Sequence, residues 1–407
     1  MNDEPTPFSL RSIAVPAFGP SLLFGIGEGA ILPVIALSVR DLGGSVALAA
    51  LVVTLIGIGS LVSNLPASII TTRYGERWAI VGASAWCALA MAICMAVPHL
   101  AAFTVGVFMI GMASAVYNLA RQSYLTEAVP FHYRARALST LGGVMRIGLF
   151  IGPFIGAAAI PFFGLAGAYA VGVVMLVLSG ILAARMPDLP GERRAAAIAA
   201  VAAAAADAAP RPTIRAVATS HASIFLTVGI GVILVSAVRA SRQAVVPLWA
   251  DHLGLSAATI SLIYGLAGGI DMLVFYPAGK VMDRKGRTWV AVPSMLVMAA
   301  GMLCLPLANS AATLLIAALM LGFGNGIGSG MIMTLGADYS PAVGRAQFLG
   351  VWRLFADLGS TSGPALLSAA TAAFSLAAGI ACIGAVALAA AGVLWYFVPR
   401  TARRPSG

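Results

Sequence analysis

Apolar residues fill this chain in long runs, without the single narrow stripe of a soluble amphipathic helix. Twelve runs have spanning length, at about 12–39, 45–70, 77–97, 100–126, 135–162, 165–185, 220–249, 256–281, 288–308, 311–336, 346–372 and 375–398. Roughly twenty apolar residues in a helix cross a hydrocarbon core of about 30 Å, so each run predicts a membrane-crossing helix. Most breaks between runs are short. The exception is residues 186–219, with Pro187, Pro190, Arg193 and Arg194, then an alanine-rich stretch to Ala209, then Pro210 and Pro212. Alanine is the strongest helix former and proline ends a helix. This segment predicts a tether, with room for a helix, between a first unit at 1–185 and a second at 220–407.

Composition agrees. The chain has 407 residues, 60% hydrophobic and 9% charged, against about 25% charged in soluble domains. Backbone polar groups in lipid must be satisfied within the segment or by a closed barrel, and runs this long fit helices. The expected fold is therefore all-α and integral to the membrane. The net charge is +10, and its distribution matters more than its size. Arg73, Arg77, Arg134, Arg136, Arg193, Arg194, Arg284, Lys285, Arg287, Arg345, Arg400, Arg403 and Arg404 fall in alternate loops or at the C-terminus. The opposite loops carry only Arg40, Asp41, His99, Asp251 and His252. The positive-inside rule then places both termini in the cytoplasm, on an inner membrane. The charge is read as topology, and no nucleic-acid partner is expected. Cys87, Cys94, Cys304 and Cys382 lie inside apolar runs, with no metal-ligand spacing and no disulfide framework. Met1 to Arg11 is polar and lacks the pattern of a cleavable signal peptide. No phosphate loop, metal cluster or nucleophile triad is visible, so no enzyme activity, cofactor or metal is expected.

The halves repeat at an offset of 211. Pro66 maps to Pro277, Gly75 to Gly286, Trp78 to Trp289, Gly111 to Gly322, Glu127 to Asp338, Pro130 to Pro341, Arg134 to Arg345, and Gly152-Pro153 to Gly363-Pro364. Shared spacing without gaps predicts two pseudo-symmetric six-helix bundles. Parallel repeats of this kind bind substrate between the halves, near the bilayer midplane.

Two motifs sharpen this reading. Gly279-Lys-Val-Met-Asp283-Arg284-Lys285-Gly286-Arg287 fits the pattern G-x-x-x-D-R-x-G-R between the eighth and ninth helices. Its first-half counterpart, Ser68 to Arg77, keeps Arg73, Gly75 and Arg77 but has Thr72 in place of the acid. With six plus six helices and a basic central loop, the chain resembles the major facilitator superfamily over nearly its whole length. Gly148-x-x-x-Gly152-Pro153-x-x-Gly156-Ala157 resembles the fifth-helix motif of the family's 12-helix drug:proton antiporters, with Ala157 in place of a glycine. The fourth-helix arginine of those exporters is absent from its usual place, where Phe108 stands. Small residues four apart let a neighbouring helix come close. Gly148, Gly152, Pro153 and Gly156 thus predict a bent, moving seam.

Ionisable residues inside the spans are functional candidates, because each is costly in lipid. Glu28, between Gly27 and Gly29 in the first helix, is a candidate proton carrier, with Arg239 at offset 211 as its candidate partner. Arg146 lies 12 residues after Arg134, and Asp271 lies 12 residues before Asp283. Both sit about 18 Å from the basic edge, which predicts an Arg146–Asp271 ion pair between halves. Arg353 and Asp357, four apart, can pair on one helix face. Asp271, Arg146 and Asp357 join Glu28 as the proton-coupling set. The resemblance places the first, fourth, seventh and tenth helices around a cavity. It thus proposes Tyr117, Asn118, Arg121, Gln122, Arg239, Arg242, Gln243 and Asn325 as substrate-contacting, and Arg353 of the eleventh helix is added to them. Among the loop charges, Asp283 is expected near Arg134, Glu127 on Arg284 or Arg287, and Asp338 with Arg345 near Arg73 and Arg77, together forming a cytoplasmic latch. The function these residues imply is proton-coupled export of a small organic compound, by a monomer in the lipid bilayer. Transport of an organic anion or lysolipid-like amphiphile is the alternative, favoured by the arginines, and a non-transporting sensor or scaffold is the rival of another class.

Overall fold

The computed structural model describes residues 14–129, 131–187, 213–341 and 343–401; the side chains of residues 131–136 and a few others within helices are outside the description. The first half runs α1 (Ala14–Asp41), α2 (Val46–Tyr74), α3 (Glu76–Ala96), α4 (Leu100–Ala128), α5 (Phe131–Phe163) and α6 (Leu165–Ala184). The second runs α7 (Ile230–His252), α8 (Ala257–Lys285), α9 (Thr288–Cys304), α10 (Ala311–Ile327), α11 (Arg345–Ala373) and α12 (Leu376–Thr401). A short helix, Ile214–Ser220, precedes α7, and a wide turn at Phe225–Gly229 leads into it. The expected alanine-rich linker helix falls on residues 188–212, outside the described residues.

Local rules account for the breaks. Ser45 and Ser256, related by the repeat offset, each accept a hydrogen bond from the backbone three residues on and cap α2 and α8. Gly75 and Gly286, also repeat-related, hold φ of 84° and 94° at the α2–α3 and α8–α9 turns. That region is open mainly to glycine, so the loop signature needs its glycine in both halves. Eleven of these helices, the tenth extended to Tyr339, are long and apolar enough to cross a membrane. The twelfth, α11, is 29 residues long and carries Arg345, Arg353 and Asp357, which lower its apolarity. The tenth span breaks near its basic end. After α10 come Gly328 to Gly330, with Gly330 at φ 82°, and then a helix at Met331–Tyr339. One continuous helix was expected there, and the glycine series supplies the break.

Within the first half, α1 packs on α5 and α6, α2 on α4, and α3 on α4 and α6; within the second, α7 packs on α11 and α12, α8 on α10, and α9 on α10 and α12. Between the halves, α2 meets α11, α5 meets α8, and α1 meets α7 and α8.

The glycine face of α5 corrects an expectation. A Cβ at Gly148 would strike the backbone of Leu22 and Gly25, one at Gly152 that of Ile26 and Ala30, and one at Gly156 that of Ala30. All of these belong to α1, in the same half. The repeat images Gly359 and Gly363 on α11 meet Ile233 and Ala237 of α7 in the same way. The motif therefore fuses two helices of one bundle. The seam between bundles lies on another face of α5, where Phe154 and Phe150 fill the space beside Gly265 and Gly269 of α8. Spacing reveals a small-residue face, and only packing reveals which neighbour it meets.

Candidate functional site

A cavity of about 240 Å³ lies between the halves, lined from the first half by Leu32, Arg146, Leu149 and Phe150, and from the second by Arg239, Arg242, Gln243, Tyr264, Gly268, Asp271, Met272, Asn325 and Ser329. Arg146 and Asp271 sit near the middle of α5 and α8, and Arg239 and Asn325 near the middle of the spans Ala222–His252 and Ala311–Tyr339. At 1.5 Å per residue they share one level, roughly 20 Å from either end.

The polar groups form one chain of bonds. Asp271 Oδ2 accepts from Asn325 Nδ2 at 2.5 Å and from Arg242 Nη2 at 3.4 Å. Asn325 Oδ1 accepts from Arg239 Nε at 2.7 Å. Arg239 also donates to the backbone oxygens of Asn325 at 3.2 Å and Gly328 at 3.3 Å. Those carbonyls are at the break after α10, where the helix has oxygens to spare, so the glycine break and the arginine suit each other. Arg146 does not bond Asp271. Its Nη2 donates to Ser329 Oγ at 2.6 Å, and its guanidinium lies 4.1 Å from the centre of the Phe275 ring. The carboxylate's partner is Arg242, on α7. Equal depth along two helices did not fix which side chains face each other.

Glu28 lies on the first-half side. Ser114 Oγ donates to its Oε1 at 3.3 Å, and Arg121 is its charged neighbour. Arg239 is held by α10 and is not its partner. Arg121 has Nε and Nη1 buried without a hydrogen-bond partner among the described residues. The other proposed contacts scatter. Tyr117 is fully buried, stacks on Phe24 at 3.8 Å between ring centres and reaches Ser179, so it belongs to the first-half core and not the cavity wall. Gln122 is exposed, Asn118 is half-buried and neither lines the cavity; Gln243 does. Arg353 pairs with Asp357 one turn on, at 3.1 Å, but its side chain is 70% exposed and outside the cavity.

The loop charges also differ from the expected latch. Arg287 Nε donates to Asp338 Oδ2 at 2.8 Å and its Nη2 to Oδ1 at 3.4 Å, a two-pronged pair, with Asp283 at 3.4 Å. The bond to Asp338 holds the Arg287 guanidinium above its ordinary range. All three residues belong to the second half. In the first half, Ser123 Oγ donates to Glu76 Oε1 at 3.2 Å. Asp338 thus turns to its own bundle in place of Arg73 or Arg77, and Arg287 bonds Asp338 and Asp283. Arg73, Arg284 and Arg345 are exposed; the side chain of Arg134 is outside the described residues. In the second half the loop signature ties its loop to the bundle that carries it. An i,i+4 pair and a neighbouring helix of the same bundle are simply nearer than the opposite half.

At the other end a bridge was not foreseen. Arg40 Nε lies 3.3 Å from Asp251 Oδ2, joining the ends of α1 and α7, and Arg40 Nη1 also caps the Gly44 carbonyl at 2.9 Å. Nearby, Ser368 Oγ donates to the Ala47 carbonyl at 2.7 Å, tying α11 to α2. Positions 40 and 251 are 211 apart, so the repeat offset, applied to charges, was the signal that would have found them.

The model of the Major Facilitator Superfamily matches residues 21–220 and 228–407. A comparison with curated protein sequences gave no match. Solved structures similar to this chain include a D-xylose-proton symporter (17% identity, TM-score 0.72, covering 96% of this chain and 98% of that one). Another is a POT family transporter in complex with 5-aminolevulinic acid (13%, 0.74, 97% and 97%). A third is the human organic anion transporter MFSD10 (13%, 0.65, 94% and 99%). At these identities the likeness shows the fold alone.

Proposed function

The chain belongs to the major facilitator superfamily, a family of membrane transporters and not of enzymes, and we propose that it carries a small organic anion across the membrane by alternating access, coupled to protons. The observation that carries this reading is the cavity wall, where three guanidiniums face one carboxylate at mid-depth between the bundles. Fixed positive charge away from water favours an anionic guest, and guanidinium is suited to carboxylate or phosphate. In this reading the bundles 1–185 and 220–407 rock about the cavity, joined by 186–219. Both termini and the basic loops face the cytoplasm, and Arg40–Asp251 closes the outer end. Glu28 is the proton carrier, since its carboxylate is held by one hydroxyl and one unbonded guanidinium. The proton gradient supplies the bias, at about 2.3 kcal/mol per charge per 100 mV for the electrical part.

The other reading, export of a cationic or neutral drug, had its support in the fifth-helix glycines. Their packing against α1, repeated at Gly359 and Gly363 against α7, accounts for them without any exporter role. Purified protein in liposomes separates the readings by counterflow of labelled organic anions against cationic dyes, with and without a pH gradient. Anion exchange that depends on Arg242 supports the first. Dye exchange without anion exchange replaces it with the second. Flux of neither, at any pH, leaves the sensor or scaffold.

A further inference from the structure

The three arginines of the cavity are not equivalent. A guanidinium has five N–H donors. Arg239 directs three of its nitrogens at neutral acceptors of α10 and the turn after it. It is a strut. Among the described residues Arg242 makes one bond, at 3.4 Å to Asp271, and its Nε is buried with no partner. Arg146 makes one bond among the described residues, to Ser329, and lies on the Phe275 ring. Arg242 and Arg146 come from opposite bundles, line the same cavity and keep most of their donors. Arg242 Nε is thus a buried donor without an acceptor among the described residues, which is costly and which native structures rarely leave so unless something else fills the gap.

We infer that the cavity takes a single carboxylate clamped between Arg242 and Arg146, on a molecule whose remaining body is apolar: a small monocarboxylic acid with an aliphatic or aromatic tail. The inference rests on the transport reading above and narrows its cargo. The apolar body follows from the rest of the wall, where Leu32, Leu149, Phe150, Met272 and the ring of Tyr264 outweigh the one further amide, Gln243. A second anionic group would meet Asp271, or Arg239 with its nitrogens already engaged. The volume of 240 Å³ is that of about eight liquid waters, which sets the cargo at roughly that many heavy atoms or a few more. Binding proceeds by partner exchange. The incoming carboxylate draws Arg242 from its long contact with Asp271, and Asp271 keeps Asn325. Because one arginine belongs to each bundle, the bound acid also ties the halves together at mid-depth.

The test is binding of phenylacetate, hexanoate, succinate, inorganic phosphate and phenethylamine to the purified full chain, by calorimetry and by the shift in melting temperature. Phenylacetate and hexanoate are expected to bind, with the other three at least ten-fold weaker. Arg242→Gln and, separately, Arg146→Gln are expected to weaken phenylacetate roughly ten- to hundred-fold, as for a lost charged hydrogen-bond pair. Arg242→Lys keeps the charge without the fork and recovers part of the loss. Each variant is first checked for an unchanged elution profile, so that if one misfolds the other still answers. Tighter binding of succinate, phosphate or phenethylamine overturns the inference, as does the absence of binding by all five. Binding needs no gradient, so the two readings fail separately. Monocarboxylates that bind without flux in liposomes sink the transport reading and leave the site; flux of another anion class does the reverse.

Discussion

The two bundles place opposite charges at the same repeat position. In the first, Ser114 of α4 donates to Glu28 of α1. In the second, Asn325 of α10 accepts from Arg239 of α7. Both residues of one bond are 211 positions from those of the other, so this is one contact built twice with its polarity reversed. The reversal recurs at Arg146 and Asp357, at Arg40 and Asp251, and at Glu76 and Arg287. Duplication copies the scaffold and the depth of each polar position, and leaves its chemistry free to diverge. Like charges at positions that face each other across a two-fold axis would repel, whereas opposite ones attract. Arg40 and Asp251 show the result as a bridge at one end. The basic partner at mid-depth has become part of a bonded wall, and the acidic one has stayed loosely held.

That difference predicts unequal mutants, with Arg239 the largest. Arg239→Gln removes three bonds and leaves the Asn325 side chain and the carbonyls of Asn325 and Gly328 without their donor. Each buried acceptor left unpaired costs about 1–3 kcal/mol. The expected outcome is a sharply lower melting temperature in detergent and no transport. Glycine substitutions come next and should be symmetrical. Gly152→Ala and Gly363→Ala each force a methyl onto the backbone of the neighbouring helix, Ile26 and Ala30 in one case and Ala237 in the other. Overpacking of this kind costs about 1–3 kcal/mol, and the two melting shifts should agree. Unequal shifts would mean that the α1–α5 and α7–α11 contacts are not the copies they look like. A Cβ at Gly142 meets nothing, so Gly142→Ala should be neutral or gain up to about 1 kcal/mol from helix propensity.

Glu28→Gln is the counterpart of Arg239→Gln. Glu28 has one bond of 3.3 Å to a hydroxyl, and an amide can accept the same bond. Melting should fall less than for Arg239→Gln, since Arg121 loses a charged neighbour but no bond. Proton flux coupled to cargo should fall at least ten-fold, about 1.4 kcal/mol, read as pH change inside liposomes. Unchanged coupling would remove Glu28 from the cycle and move the search to Asp271.

Much of this was legible in the chain, and the division is physical. Length and hydropathy carried the spans, since a bilayer leaves the backbone few choices. The offset of 211 carried the duplication, and the loop signature carried the family. Depth was legible too, because 1.5 Å per residue put Arg146 and Asp271 at one level. Direction around each helix was not. Asp271 found Arg242 and Asn325 instead of Arg146, Tyr117 turned into the core, and Gly152 turned to α1. Each of these depends on which face a neighbour covers, which no count along one helix contains. The loop charges failed for a related reason: Asp338 and Arg287 are 51 residues apart in sequence and adjacent in space, so the nearer bundle wins.

The smallest expected effect tests the reversal most directly. Arg40 and Asp251 are each more than a third exposed, and pairs of this kind contribute about 0.2–1 kcal/mol. Arg40→Gln should therefore shift the balance between states by only about 1.4- to 5-fold, toward an open outer end. Spin-label distances across the outer ends of α1 and α7 would read the shift. The exchange Arg40→Asp with Asp251→Arg restores opposite charge with the sign inverted. If attraction across the axis is what matters, the double variant recovers the closed distance. If it does not, the cap from Arg40 to the Gly44 carbonyl, lost in both variants, is the contact that holds this end, and the bridge is a consequence of closure and not its cause.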